Sequence, residues 1–169
     1  MGAGKTTVGG LLAERLGWCC VDLDREIERR AGSSIARIFR DAGEDRFREL
    51  EAEQTTRIAA SEEIVLATGG GWAAQRGLWE RLASDTLFVW LRVAPHEALG
   101  RIGAAAGDRP LLEAVDPEGR LGDLLRERTS AYARAKLHID TSGRDADSVA
   151  ADIERAVRFP APAATSPTG

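Results

Sequence analysis

The opening run MGAGKTT, residues 1–7, constrains the fold more than any other stretch of the chain. Glycines let successive backbone N–H groups point inward at anionic oxygens. A lysine behind them reaches β- and γ-phosphates, and a Ser or Thr hydroxyl binds magnesium. Gly2, Gly4, Lys5 and Thr6 supply these parts. The spacing of Val8, Leu11, Leu12 and Leu16 predicts a helix over Thr6–Leu16, stopped by Gly17. A helix N-terminus at Lys5 would aim its partial positive charge at the same phosphates. The full pattern G-x-x-x-x-G-K-[ST] needs one more glycine, and a feeding strand, ahead of Met1. The stretch alone also fits a glycine-rich helix cap that binds nothing. We read it as the second half of a phosphate loop, and expect translation to begin upstream or the sequence to be a fragment. The strand so lost is central in such folds. An unsatisfied buried polar group costs about 1–3 kcal/mol, against a typical stability of about 5–15 kcal/mol. The chain as written is therefore expected to fold poorly or to be inactive; a soluble product with normal turnover refutes this.

One domain is the expectation for 169 residues, long enough to bury a core without disulfides or structural metal. The 23 basic and 27 acidic residues give −4, with no basic cluster, which argues against a nucleic-acid partner. A negative protein that binds polyanions must place its positive charges locally, so its useful arginines should converge in one cleft. No apolar run approaches the roughly 20 residues of a membrane span, and no signal-peptide pattern opens the chain. Cytoplasmic residence and no membrane partner are expected. Cys19 and Cys20 are adjacent and poorly placed for a disulfide; they read as small buried strand residues in a reducing compartment. His96 and His138 are scattered, without metal-ligand spacing.

Short apolar runs at Trp18–Val21, Ile64–Ala67, Leu87–Val93 and Leu137–Ile139 read as strands. Helical patterns lie between them: Arg25–Arg30, Ser34–Arg40, Arg46–Ala60, Gly77–Leu82, Pro95–Ile102, Arg120–Ala135 and Asp145–Val157. The alternation predicts an α/β fold of three layers, a small parallel sheet flanked by helices, with the first, central strand missing. The domain should span 1–159, with a lid at about 103–118 and a disordered Pro/Ala/Ser/Thr tail over 160–169.

Ligands of open parallel sheets bind beyond the carboxyl ends of the strands. Asp22 and Asp24 fall at one such end and Gly69, Gly70 and Gly71 at another. One aspartate could help hold Mg2+ through water while the other reaches an acceptor hydroxyl; equally, Asp24 could simply cap the next helix. Triple glycine admits close approach of a ligand or serves as a flexible turn. Arg48 and Glu51 should meet on one helix face, the carboxylate fixing the guanidinium for an external anion or forming an ordinary surface pair. Phe39 and Phe47 could wall an apolar side of a pocket or pack in the core. Arg109 on the lid could neutralise charge on a transferring phosphoryl group. Arg128 lies four residues before Tyr132 and reads also as a solvated helix residue, as does the run Arg25–Arg30.

Taken in order, GAGKTT, DLD, SIARIF, GEDRFRELE, GGG, RPLL and RERTSAY resemble the shikimate kinase family over about residues 1 to 158. The resemblance implies transfer of the ATP γ-phosphoryl group to the 3-hydroxyl of shikimate, on the way to aromatic amino acids, by a small cytoplasmic monomer. It implies that Gly2, Ala3, Gly4, Lys5, Thr6 and Thr7 hold ATP, with Lys5 on the β/γ-phosphates. Thr6 and Asp22 would serve the magnesium ion. Asp24 would bind a shikimate hydroxyl and act as base, Arg48 and Arg128 would hold the carboxylate, and Gly70 and Gly71 would touch substrate. Arg109 would contact ATP, and Glu51 would orient Arg48. Trp72 departs from the small residues usual after the glycines, and its indole could pack near the substrate or shield the sheet edge; the adenine loop near Thr141 to Asp147 matches only loosely. A gluconate-type kinase and an inactive nucleotide-binding relic are the competing readings.

Overall fold

Gly4 stands at φ 81°, a left-handed conformation that glycine adopts without a Cβ penalty, and caps helix α1 (Lys5–Leu16). A computed structural model describes residues 2–104 and 116–160 of the chain. The elements after α1 are β1 (Cys19–Asp22), α2 (Leu23–Ala31), α3 (Ile35–Ile58), β2 (Ile64–Ala67), β3 (Val89–Arg92), α4 (Pro95–Ala104), α5 (Pro117–Tyr132), β4 (Leu137–Asp140) and α6 (Ala146–Arg158). Arg109, the centre of the expected lid and the expected tail after Pro160 lie outside the described residues. The two ends of the lid segment that are described are helical, as the end of α4 and the start of α5.

Strands β1 and β2 pair in parallel, Cys19 opposite Ile64 and Asp22 opposite Ala67. Strands β3 and β4 do the same, Val89 opposite Leu137 and Arg92 opposite Asp140. The one small sheet read from the sequence is thus, among the described residues, two parallel two-stranded sheets, with no ladder joining β2 to β3. Packing joins what hydrogen bonds do not. Val65 of β2 and Val89 and Leu91 of β3 face a cluster built from Val8 and Leu12 of α1 and Val149, Ala150 and Ile153 of α6. Leu66 of β2 and Trp90 of β3 face the other way, onto Leu23, Ile27, Phe47, Trp72 and Trp79. This is the period-two alternation of strands buried between two helical layers. A smaller cluster of Ala98, Ile102 and Leu121 fastens α4 to α5.

Four sequence expectations need correction. The two helices expected at Ser34–Arg40 and Arg46–Ala60 run into one another as α3, kinked where Gly43 takes φ 80°, ψ 176°. The helix expected at Gly77–Leu82 is a single 3-10 turn, Trp79–Arg81. Leu78 and Trp79 are drawn into the core there, and the Trp79 indole N–H donates to the Ala73 carbonyl at 2.8 Å. Cys19 and Cys20 are exposed, not buried, because β1 is paired on one side only among the described residues. Trp72 neither lines a substrate surface nor shields a sheet edge. It is buried, its Nε1 donates to Thr55 Oγ1 at 2.9 Å, and its ring lies 5.7 Å from Trp79 and 6.2 Å from Phe88.

Trp72→Ala is expected to lower stability by about 3–5 kcal/mol, the usual range for a large buried aromatic. Phe159, 75% exposed, is the control: Phe159→Ala should stay within about 0.5 kcal/mol of the parent. Urea denaturation followed by far-ultraviolet circular dichroism measures both.

Candidate active site

The glycine loop, the end of β1 and the loop after β2 meet at the carboxyl ends of β1 and β2. Gly2 passes so close to α4 that a Cβ would stand 2.5 Å from the Ala98 carbonyl oxygen, which excludes any side chain there. Thr6 Oγ1 donates to Asp22 Oδ2 at 2.7 Å. The other oxygen, Asp22 Oδ1, accepts from the Arg25 backbone N–H at 3.2 Å, so Asp22 caps α2 and Asp24 does not. Asp24 is free of that duty and sits half-buried in the first turn. Lys5 lies within electrostatic reach of Asp24, Asp22 and Arg128. Burial pushes its ammonium below the usual lysine range, against the pull of the two aspartates. Burial raises the Asp24 carboxyl to about 6, with Asp22 and Glu51 adding to the rise and Lys5 opposing it.

Side chains pack closely on the first and last of the three glycines. A Cβ on Gly69 would lie 3.2 Å from Asp24 Oδ1 and 3.3 Å from Glu51 Oε1. A Cβ on Gly71 would lie 2.8 Å from Arg48 Nη2 and 3.0 Å from Nη1. Between them, the Gly70 carbonyl accepts the Tyr132 hydroxyl, which ties α5 to the loop one turn beyond Arg128. Glu51 is fully buried. Its Oε2 accepts from Arg48 Nη1 at 2.7 Å and from Gln75 Nε2. The other edge of the Arg48 guanidinium meets the exposed carboxylate of Glu44, through Nη2 at 2.8 Å and Nε at 3.1 Å. Arg48 also lies over the Phe47 ring, 5.2 Å from its centre.

The structure therefore gathers Lys5, Thr6, Asp22, Asp24, Arg48, Gly69, Gly71 and Glu51 into one mouth, with Arg128 within electrostatic reach of Lys5. Phe47 is core, whereas Phe39 is 38% exposed and packs on Phe47 at 4.8 Å. Arg25–Arg30 is the charged helix surface expected, with Glu26 paired to Arg29 and Arg30 at 2.7 Å each. Three contributors escaped the sequence reading. Glu44 was legible, one helical turn before Arg48. Gln75, 24 residues from Glu51, carried no local signal. Arg101, which donates to the Thr141 carbonyl at 2.8 Å, lines a cavity of about 220 Å3 with Ala3, Gly4, Thr7, Thr141 and Arg144. A larger groove of about 540 Å3 lies between α2 and the outer face of α3 and holds none of these residues.

Among the described residues no cluster of three or more His, Cys, Asp or Glu side chains could hold a metal alone. The joined oxygens of Thr6 and Asp22 nevertheless suit a hard divalent cation that keeps most of its water and takes further oxygens from a phosphate.

The sequence model described as Shikimate kinase matches residues 1–158. The shikimate kinase of Moorella thermoacetica is 42% identical over 158 residues, covering 94% of this chain and 90% of that protein. That of Synechococcus sp. strain CC9605 is 42% identical over 153 residues, covering 90% and 76%. Among solved structures, the shikimate kinase from Acinetobacter baumannii in complex with shikimate superposes with a TM-score of 0.86 at 38% identity, over 94% of this chain and 88% of that one. The shikimate kinase from Bacteroides thetaiotaomicron gives 0.86 at 28% identity, over 94% of each chain.

A carboxyl whose folded value is raised to about 6 is a charge the fold resists carrying. Its penalty is full above pH 6, shrinks as pH falls toward the unfolded value near 3.8, and is then gone. Asp24→Asn is therefore expected to stabilise the ligand-free protein at pH 8 by about 1–2 kcal/mol, allowing for the solvent reaching this half-buried group. The advantage should vanish near pH 4; thermal melting across that range checks it.

Proposed function

The chain belongs to the shikimate kinase family, and on that premise we propose how its residues carry out the reaction. The activity is ATP-dependent phosphorylation of shikimate, a transferase step toward the aromatic amino acids. A gluconate-type kinase and an inactive relic are not favoured by these relationships. The assignment of roles rests on one observation: Lys5, Asp24 and Arg48 converge on a single mouth around Gly69–Gly71.

In our reading, the backbone N–H groups of Gly2 to Thr7 and the ammonium of Lys5 receive the β- and γ-phosphates, with the start of α1 aimed at them. The cavity lined by Arg101, Thr141 and Arg144 takes the base, a planar guanidinium being suited to stacking on it. Thr6 and Asp22 would hold Mg2+, which supplies charge neutralisation on the phosphate oxygens when bound. Arg109, on the segment outside the described residues, is assigned to the same phosphates.

Arg48 and Arg128 take the shikimate carboxylate. An incoming carboxylate displaces Glu44 from Arg48, not Glu51. Glu44 is a solvent-exposed partner of the kind worth about 0–1 kcal/mol, and Glu51 is a buried one that has nowhere to go. Gly70 and Gly71 let the ring lie close to backbone. The 3-hydroxyl then faces Asp24. Its oxygen bonds to the γ-phosphorus as the bond to the β,γ-bridging oxygen breaks; its proton passes to Asp24, and ADP departs. A carboxyl tuned to about 6 is ionised yet usefully basic at neutral pH. No helix among the described residues is long and apolar enough to cross a membrane, and we assign the enzyme to the cytoplasm as a monomer.

With the phosphate loop completed ahead of Met1, a coupled ADP-release assay should show turnover with shikimate and none with gluconate. Asp24→Asn should lower kcat by about 10²–10⁴-fold, the usual contribution of a general base. Equal turnover of gluconate would overturn the substrate assignment, and an undiminished kcat in Asp24→Asn would remove Asp24 as the base.

A further inference from the structure

We propose that Gln75 is a positioning residue: through Glu51 it fixes the Arg48 guanidinium and so sets the preference for a carboxylate-bearing substrate. This rests on the reading that Arg48 receives the shikimate carboxylate.

The argument begins with Glu51, which has no exposure to water. A buried carboxylate stays ionised and fixed only if donors replace its hydration. Among the described residues its Oε1 accepts no hydrogen bond. Both donors fall on Oε2: Arg48 Nη1, and Gln75 Nε2. Among the described residues Gln75 is therefore the only partner of Glu51 other than the arginine that Glu51 itself must hold. Without it, Glu51 would be held among the described residues by Arg48 alone, and Arg48 would keep only its exposed partner Glu44 and the Phe47 ring as independent anchors.

Gln75 is well anchored for this duty. It closes the short turn Trp72–Ala74, and its backbone N–H donates to the Trp72 carbonyl at 3.1 Å. Trp72 is locked in turn by its bond to Thr55, one helical turn beyond Glu51 on α3. The segment after the triple glycine thus grips α3 twice, once by the indole and once by the amide. The amide grip ends on the carboxylate that aims Arg48 beneath Gly71. Losing the Gln75 donor leaves the Glu51 carboxylate bound through Arg48 alone, and leaves Arg48 freer to follow Glu44 toward solvent.

The test compares Gln75→Met, which keeps length and loses the donor, with Gln75→Lys, which restores an N–H donor. Each is assayed with shikimate and with its neutral carboxamide. Gln75→Met should raise the shikimate KM about tenfold, the scale of one hydrogen bond to a charged group. The KM for ATP and the KM for the carboxamide should stay near the parent values, and kcat within about twofold; the melting temperature should fall by a few degrees, since a buried carboxylate loses a donor. Gln75→Lys should recover most of the shikimate affinity. Should Gln75→Met fail to fold, Gln75→Asn, one carbon shorter, withdraws the amide and carries the same expectation. An unchanged shikimate KM overturns the proposal. So does an equal loss with acid and carboxamide, which marks a merely structural bond. Arg48→Met separates the premise: if it leaves the shikimate KM unchanged, the carboxylate reading itself falls, whereas a large Arg48 effect beside an inert Gln75 sinks only the present inference.

Discussion

Glu51 has been withdrawn from water completely, and a charge in that position is tolerated only when its surroundings supply what water did. Much of the site follows from meeting that demand. Arg48 is drawn inward to neutralise the carboxylate, and a Cβ on Gly71 would push its guanidinium aside. A Cβ on Gly69 would crowd the carboxylates of Asp24 and Glu51, which would have to give by a few tenths of an ångström. The buried charge also lifts the proton affinity of Asp24. One burial event thus links an anion-binding arginine, a glycine loop and a candidate base.

On the roles proposed, the same cleft would handle two anions by different means. The phosphate end relies on backbone: left-handed Gly2 and Gly4, the start of α1 and one half-buried lysine. The acid end relies on guanidinium groups held by carboxylates. Those partners are unequal, one buried and one exposed, and the inequality decides which contact yields to a ligand. In a protein of net charge −4, such local concentration of positive charge is what polyanion binding requires. The bond from Tyr132 to Gly70 brings the far end of α5 to this place, and Arg128 with it.

Local pattern made much of this legible from the residues alone. The start of α1, all four residues of β2, the Arg48–Glu51 pair and the carboxyl-end placement of both motifs follow from periodicity, stop signals and i,i+3 spacing. What stayed hidden depends on pairing at a distance. Periodicity cannot show that β1 is an edge, so Cys19 and Cys20 read as buried. Leu78 and Trp79 have a helical spacing, but the core takes them in a single turn. Local pattern offers Asp24 as the cap of α2, whereas Asp22 takes that place. The bond from Thr6 Oγ1 to Asp22, across 16 residues, marks where β1 ends and shows which aspartate is left unengaged. Gln75 carries no signature at all, since an amide gains its meaning only from the carboxylate it meets.

A crystal structure of the chain with shikimate and ADP offers the most direct check on this picture. The account requires the acid's carboxylate on the guanidinium groups of Arg48 and Arg128, Glu44 displaced into solvent, Glu51 unmoved, and the 3-hydroxyl within hydrogen-bonding distance of Asp24. Shikimate seated elsewhere, or Glu51 rather than Glu44 giving way to it, would contradict the account at its root.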